Sequence, residues 1–213
     1  MSIILNIDTS GSIAVVSLAK NGILIDLLSN ENQKDHAAFL HPAIDSLLKK
    51  NALTTSDIKA VAVVEGPGSY TGLRVGMASA KGFCFALNIP LLTIGSLELL
   101  TAEALKNIPP HKQGLPIILC PMIDARRMEV FTGLYSVSGE CILEPMAIVL
   151  DEYAFIQQMD NSIVYYFGSG AAKWKNTCIH SNARFIEISN PAVSLAELSI
   201  ELFNKNEFFK PEF

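Results

Sequence analysis

The sequence of 213 residues predicts an α/β fold built from two similar halves. Each half opens with an apolar strand that ends in an aspartate, Asp8 in the first half and Asp124 in the second. A hairpin signal follows each of these strands, and helical and strand patterns then alternate. This weak internal repeat indicates that one structural plan occurs twice in the chain.

The first half contains three strand patterns and then an alternation of helices and strands. The run Ile3–Asp8 predicts a strand, and apolar runs at 13–18 and 23–28 flank Asn21-Gly22, a strong hairpin signal. Apolar residues at helical spacing predict a helix over 35–50. Further along, the patterns predict a strand at 60–64, a helix at 71–87, a strand at 91–94 and a helix from Ser96 to about 106.

The second half begins after a stretch rich in proline and glycine at 107–116, which predicts a boundary between domains 1–106 and 107–213. A strand is predicted at 117–123, and a hairpin pairs 128–135 with 142–149 around the turn Ser138-Gly139. A helix at 151–159, a strand at 163–167 and a closing helix at 192–205 complete the prediction.

Three antiparallel strands followed by alternating helices and strands form the ribonuclease-H-like plan. Two copies in tandem resemble the superfold of actin, sugar kinases and Hsp70. We therefore expect an N-terminal ribonuclease-H-like subdomain and a smaller, degenerate C-terminal one. A fold alone does not establish a function.

The composition restricts the classes of function. The formal net charge is −5, which disfavours tight autonomous binding to nucleic acid, because that requires a concentrated basic face. Half of the residues are hydrophobic, which favours a buried protein–protein surface. No apolar run reaches the length of a membrane span, and the start of the chain lacks the pattern of a signal peptide. The four widely spaced cysteines indicate reduced thiols and no zinc site, so we expect a cytoplasmic protein without a metal.

The stretch from Glu65 to Gly76 is rich in glycine and runs into an apolar helix. It suggests a phosphate cradle at a helix N-terminus. Actin-like ATPases need such a loop in each half, but the second half offers the bulky Asp124-Ala125-Arg126-Arg127. Independent ATP hydrolysis is therefore disfavoured, and Asp8 is better explained as the cap of a turn.

Neither a metal site nor a nucleophile is indicated. His36 and His41 lie five residues apart, so on a regular helix they point about 140° away from each other and cannot share an ion. Ser69 does not lie in the G-x-S-x-G pattern of a nucleophile elbow. We therefore assign no catalytic residue.

Small residues recur on the helix that follows the glycine-rich stretch. Gly72, Gly76, Ala80 and Cys84 are spaced by four, which gives a stripe that lets another backbone approach closely. The neighbour is either a partner protein or this chain's own sheet, and the sequence leaves both alternatives open.

These motifs resemble the bacterial TsaB (YeaZ) family. The resemblance rests on Ile7-Asp8-Thr9-Ser10, on His36 and its helix, on the stretch Glu65–Gly76, and on Ile123-Asp124-Ala125-Arg126. It covers residues 3 to about 135, and the C-terminal third resembles the family loosely. The family usually extends a little beyond its last helix, whereas this chain stops at Phe213.

The resemblance implies a non-catalytic subunit. TsaB is similar to TsaD, which transfers a threonylcarbamoyl group to the adenosine beside the anticodon of certain tRNAs, and it supports that transfer together with the ATPase TsaE. TsaB pairs with TsaD through helices of its first half, and isolated members form homodimers through the same surface. By this carry-over we expect nine residues at the partner interface: Phe39, Leu40, Ile44, Leu47, Gly72, Arg74, Gly76, Ala80 and Lys81.

No cofactor is expected on the isolated chain, and a shared ATP or ADP at the subunit junction stays open. The tRNA is expected to be engaged only indirectly, although a contact by Arg126, Arg127, Lys173 or Lys175 is not decided by the sequence. Two alternative functions are an actin-like ATP-dependent enzyme and a glycoprotease-like peptidase that acts on its sister subunit.

Overall fold

The computed structural model describes residues 2–32, 35–108, 114–188 and 191–209. Its first sheet has the strand order β3-β2-β1-β4-β5. These strands are β1 (Ile3–Asp8), β2 (Ala14–Lys20), β3 (Ile23–Asn30), β4 (Ile58–Gly66) and β5 (Leu91–Gly95). The strands β1, β2 and β3 pair antiparallel, whereas β4 runs parallel to β1 and β5 runs parallel to β4.

The second sheet repeats this plan in the order β10-β9-β6-β7-β8. Its strands are β6 (Ile117–Asp124), β7 (Glu129–Tyr135), β8 (Cys141–Val149), β9 (Ile163–Phe167) and β10 (Ala183–Phe185). Here β6, β7 and β8 pair antiparallel, and β9 and β10 continue the sheet in parallel. Both predicted hairpins and the prediction of two tandem ribonuclease-H-like units are confirmed.

Six α-helices occur among the described residues. They are α1 (His36–Lys50), α2 (Tyr70–Leu87), α3 (Ser96–Leu105), α4 (Ile156–Asn161), α5 (Ala171–Lys175) and α6 (Ala192–Lys205). A short 3-10 helix, Thr55–Asp57, precedes β4.

The first sheet buries both of its faces. Successive side chains of a strand point to opposite faces. Ile3, Leu5 and Ile7 of β1 therefore share a core with α1 and α2. Ile4 and Asn6 point to the other face and are also fully buried. The last helix, α6, packs against β1, β2, β3 and β5 and covers this second face.

The second sheet has two separate cores. On one face, Cys120, Met122 and Tyr166 pack with Phe155 and Trp174 from the segment around α4 and α5. On the other face, Leu97 and Ala104 of α3 pack with strand residues of the sheet, which are Leu119, Tyr135, Tyr165 and Phe167.

The contacts divide the chain into two compact units, and the first is discontinuous in sequence. It consists of Met1–Ser96 and Ala192–Phe213, and the second consists of Leu97–Pro191. This division differs from the sequence-based boundary between residues 106 and 107, because α3 packs on the second sheet and α6 on the first. Part of the predicted boundary stretch, 109–113, and the tail from 210 onward lie outside the described residues.

The helix predicted at 151–159 was placed too early, since α4 begins at Ile156. The preceding Phe155 has a left-handed backbone with φ of 60°, which a helix cannot include. The Asp151 carboxylate accepts a hydrogen bond from the Tyr153 N–H at 3.0 Å and forms a separate turn. The sequence also missed α5 and β10, which have only five and three residues.

The part of the chain that the structure describes has no helix with both the length and the apolar character needed to cross a membrane. All four cysteines, Cys84, Cys120, Cys141 and Cys178, are free thiols.

Candidate functional site

The glycine-rich loop after β4 lies directly on the turn after β1. The Ser69 N–H donates to the Ser10 carbonyl oxygen at 2.7 Å, and the Thr9 hydroxyl donates to the Gly72 carbonyl oxygen at 2.7 Å. A Cβ atom at Gly68 would collide with the Ser10 carbonyl, and one at Gly72 would collide with that of Thr9. These two glycines therefore permit a close approach between backbone segments of this chain.

The N-terminus of α2 is capped by the chain itself. Ser69 is the N-cap residue, and its hydroxyl oxygen accepts a hydrogen bond from the Gly72 N–H at 3.3 Å. The Leu73 N–H donates to the Ser69 carbonyl at 2.8 Å. Donors that a phosphate would need are thus engaged internally, and the hydroxyl of Ser69 acts as a helix cap.

Asp8 closes the turn after β1. Its carboxylate accepts hydrogen bonds from the Ser10 N–H at 2.9 Å and from the Ser10 hydroxyl at 2.6 Å. Burial raises the pKa of Asp8, and these hydrogen bonds from Ser10 oppose that rise. The geometry matches the interpretation of Asp8 as a turn cap.

The corresponding turn after β6 is stabilised by a lysine. The Lys173 ammonium lies 2.8 Å from the Asp124 carboxylate and donates to the carbonyl oxygens of Arg127 at 2.7 Å and Glu129 at 2.8 Å. The interaction with Lys173 is the main reason that the pKa of Asp124 is lowered, and the hydrogen bond from the Arg126 N–H lowers it further. Lys173 thus has a structural role, and the turn is held by the protein's own groups.

The two histidines of α1 lie in different environments, as their spacing predicts. His36 is 3% exposed, whereas His41 is exposed, stacks on Phe83 at 5.7 Å between ring centroids and lies 3.3 Å from the Ser79 hydroxyl. Among the described residues, no group of three or more histidine, cysteine, aspartate or glutamate side chains could hold a metal ion.

The small-residue stripe of α2 faces this chain's own sheet. Gly72, Gly76 and Ala80 are buried. A Cβ atom at Gly76 would collide with the Thr9 hydroxyl and contact Ile7 and Val63 of the sheet. Of the two alternatives that the sequence left open, the structure therefore supports the one in which the stripe packs internally.

Most of the nine predicted interface residues are core residues. Leu40, Ile44 and Leu47 of α1 lie in the first core, so their side chains, like the small-residue stripe, are not available to a partner in this conformation. Phe39 is half-buried, and Arg74 and Lys81 are exposed. The Arg74 guanidinium lies 4.1 Å from the centre of the Tyr70 ring, and the Lys81 ammonium lies 5.1 Å from that of Phe209.

A second row of small residues, on the exposed side of α2, was missed by sequence reasoning. It consists of Ala78, Gly82 and Ala86, and we call it the outer stripe. A Cβ atom at Gly82 would meet nothing within 4 Å. Phe85 beside it is 81% exposed. The spacing of four is present in the sequence, but only the orientation of α2 shows that this row faces outward.

Comparisons with known proteins agree with this architecture. A family model described as TsaD, tRNA N6-adenosine threonylcarbamoyltransferase, matches residues 28–197. The tRNA threonylcarbamoyladenosine biosynthesis protein TsaB of Bacillus subtilis is 31% identical over 76% of this chain and 69% of that protein. Polyphosphate/ATP-glucomannokinase of an Arthrobacter strain shares the fold alone, with a TM-score of 0.53 at 8% identity over 95% of this chain and all of that one.

A solved structure covers nearly the whole chain. YeaZ from Pseudomonas aeruginosa superimposes with a TM-score of 0.75 at 28% identity, over 99% of this chain and 96% of that one. Together with the match to the Bacillus subtilis protein, this similarity extends across both units. The chain therefore belongs to the TsaB (YeaZ) family.

Proposed function

We propose that this chain is a non-catalytic subunit of the machinery that makes threonylcarbamoyladenosine in tRNA. Its relatives are named for that biosynthesis. In the proposal, the chain binds a TsaD-like catalytic subunit and, together with a TsaE-like ATPase, supports transfer of the threonylcarbamoyl group. Its similarity to the TsaD family model supports a role beside a TsaD-like subunit.

The observation that carries the proposal is the exposed side of α2. The outer stripe of Ala78, Gly82 and Ala86 leaves room for a partner helix to approach closely, and Phe85 offers a large apolar side chain next to it. Exposed alanines on α1, Ala37 and Ala38, add further small surface residues. Such a face loses little side-chain entropy when a helix packs against it.

The proposed interface therefore differs in part from the carried-over set. Phe39, Arg74 and Lys81 remain in it, and Ala78, Gly82 and Phe85 join it. The other six residues of that set are buried, and in this proposal they hold α1 and α2 in position against the first sheet. We propose that the same face forms the homodimer when the chain is alone.

Hydrogen bonds within the turns after β1 and β6 support a non-catalytic role. In the first turn, Ser10 and Ser69 bond to each other, and in the second, Lys173 occupies the acceptors around Asp124. We propose that the isolated chain binds no nucleotide of its own, and that any ATP or ADP lies at the junction with the catalytic subunit.

The test is to measure binding to the TsaD-like protein of the same organism by calorimetry with Gly82→Arg. No atom lies within 4 Å of a Cβ at Gly82, so we expect the variant to fold as the wild type does. Thr55→Arg, which adds the same side chain at an exposed site outside α1 and α2, is the matched control.

We expect Gly82→Arg to weaken the complex at least tenfold, to abolish the homodimer in light scattering and to remove stimulation of tRNA modification. The thermal midpoint of the monomer should be unchanged or higher, because arginine forms helix better than glycine does. Thr55→Arg should behave as the wild type in all of these measurements. Wild-type affinity of Gly82→Arg would contradict the interface. Magnesium-dependent ATP turnover by the isolated chain, abolished in Asp8→Ala, would favour the ATP-dependent enzyme instead.

A further inference from the structure

The turn between β6 and β7 holds two neighbouring arginines in an unfavourable backbone conformation. Arg126 has a φ of 71° and Arg127 a φ of 47°. The left-handed region is disfavoured for a residue with a side chain, and glycine is the residue that adopts it freely. Two successive arginines in this region indicate that their side chains, rather than the ease of the turn, account for their presence.

The turn is fixed in place from several sides. The Arg126 N–H donates to the Asp124 carboxylate at 2.6 Å, and the Glu129 N–H donates to the Arg126 carbonyl at 3.0 Å. The Lys173 ammonium binds the Arg127 carbonyl, the Glu129 carbonyl and the Asp124 carboxylate. The Lys173 side chain is only 15% exposed, and its ammonium group stabilises this turn.

The two guanidinium groups have no partner among the residues that the structure describes. Both arginines are exposed, and neither guanidinium forms an ion pair or a hydrogen bond with any residue that the structure describes. The nearby Asp124 carboxylate is already paired with Lys173. The fixed backbone of the turn therefore presents two exposed positive charges that no described residue pairs, on a chain with a net charge of −5.

We propose that Arg126 and Arg127 bind backbone phosphates of the tRNA while the chain is part of the modification complex. This inference rests on the proposed function and adds a direct contact to an otherwise indirect engagement of the tRNA. Arginine forms bidentate hydrogen bonds with phosphate, and phosphate contacts position a nucleic acid without reading its sequence.

An RNA strand fits this turn better than an acidic protein surface does. Each guanidinium can form a bidentate pair with one phosphate, and the phosphates of a strand repeat at regular intervals, so a strand offers a separate acceptor to each of the two arginines. Two such contacts are few compared with those of an autonomous RNA-binding protein, which agrees with the net charge of −5. The contact is therefore effective only when a partner already holds the tRNA.

The test compares the assembled complex containing wild-type chain with one containing the double variant Arg126→Gly/Arg127→Gly. The measurements are the Kd for an unmodified tRNA transcript, and the KM and kcat of modification. We expect Kd and KM to rise about tenfold and kcat to change less than twofold. The thermal midpoint of the isolated variant should stay the same or rise, because glycine relieves the left-handed backbone.

Two control variants make the result specific. Arg126→Lys/Arg127→Lys keeps both charges and should retain a Kd within threefold of the wild type. Lys20→Ala/Lys59→Ala makes the same change in net charge at exposed sites of the first unit and should leave Kd and KM unchanged. The slope of log Kd against log salt should be shallower by about 1.4 for the glycine variant, two contacts at 0.7 each.

An unchanged tRNA Kd for the glycine variant would overturn the inference. So would an equal loss of affinity for the TsaD-like subunit measured without tRNA, because the arginines would then contact protein. The proposed function is tested separately, by whether wild-type chain stimulates modification at all. The tRNA Kd of the complex is measured without turnover, so the two proposals can fail independently.

Discussion

The side-chain hydroxyl of Thr9, at the end of the first strand, donates a 2.7 Å hydrogen bond to the carbonyl oxygen of Gly72 in the first turn of α2. Thr9 is fully buried, and the residues are 63 positions apart in sequence. This bond and the one between Ser69 and Ser10 join the two loops that a phosphate-binding protein would hold open.

Thr9→Val should lower the free energy of unfolding by about 1–2 kcal/mol, because the valine fills the same space but cannot donate to Gly72. Urea denaturation measures this change. Thr71→Val makes the same substitution at an exposed site of α2 and should change stability by less than about 0.5 kcal/mol. Equal stability of Thr9→Val and the wild type would show that the bond contributes nothing.

Alanine at two glycines of α2 should have effects of opposite sign. Gly82→Ala adds a methyl group in open space and removes a poor helix former, so stability should rise by up to about 1 kcal/mol. Gly76→Ala forces a methyl group against Thr9, so stability should fall by about 1–3 kcal/mol. Thermal unfolding of the two variants, at concentrations where light scattering shows monomers, checks the assignment. A fall for Gly82→Ala under these conditions would mean that other parts of the chain cover the outer stripe.

The pair of Asp124 and Lys173 should contribute stability that depends on pH. The ammonium lowers the pKa of Asp124 below its ordinary value of 3.8, so the folded state binds this proton less readily than the unfolded state. The contribution is complete above the ordinary carboxyl pKa and is lost as the pH falls through the lowered folded value.

Asp124→Asn keeps the acceptor for the Arg126 N–H and removes the charge. It should therefore cost about 0.5–1 kcal/mol at pH 7, since the pair is partly exposed, and almost nothing near pH 2. Denaturation at both pH values measures this difference. A cost that stays constant across that range would mean that the charge of Asp124 is not what stabilises the turn.

Three of the four thiols should react with an alkylating reagent in a defined order. Cys141 is exposed and should be modified first, although slight burial and the nearby Glu144 also raise its pKa. Deeper burial raises the pKa of Cys84 to about 11 and that of Cys120 to about 12. A pKa two units above the ordinary 9.0 lowers the thiolate fraction about a hundredfold at pH 8. Mass spectrometry identifies the modified cysteines. Early modification of Cys120 in the folded protein would contradict its burial in the core that contains Tyr166 and Trp174.

The sequence predicted the elements whose signals are local. Asn21-Gly22 marks a hairpin because both residues adopt a positive φ, and the structure has φ values of 51° and 81° there. The apolar alternation of β1 and the helical spacing of α1 likewise depend on nearby residues. Phe155 gives no such signal, because nothing about a phenylalanine indicates a left-handed backbone.

The site was harder to predict because it depends on how α2 is rotated about its axis. The helix carries one small-residue row through Gly72 and Gly76 and another through Ala78 and Gly82, and apolar residues occur all around it. Periodicity alone does not show which of the two rows faces the sheet. Contacts with Thr9 and the sheet determine which row faces inward. Thr9 leaves no space for a Cβ atom at Gly72 or Gly76, whereas a Cβ atom at Gly82 would meet nothing within 4 Å.

The packing of α6 onto the first sheet has a consequence for biosynthesis. The second unit, Leu97–Pro191, is contiguous in sequence, so the ribosome synthesises all of it before it begins α6. Until the last helix emerges, Ile4 and Asn6 lie on a sheet face without its cover. The unit whose synthesis begins first is thus the one whose last element is made last, and a chain that ends at residue 191 contains every residue of the second unit but lacks the helix that covers the first sheet.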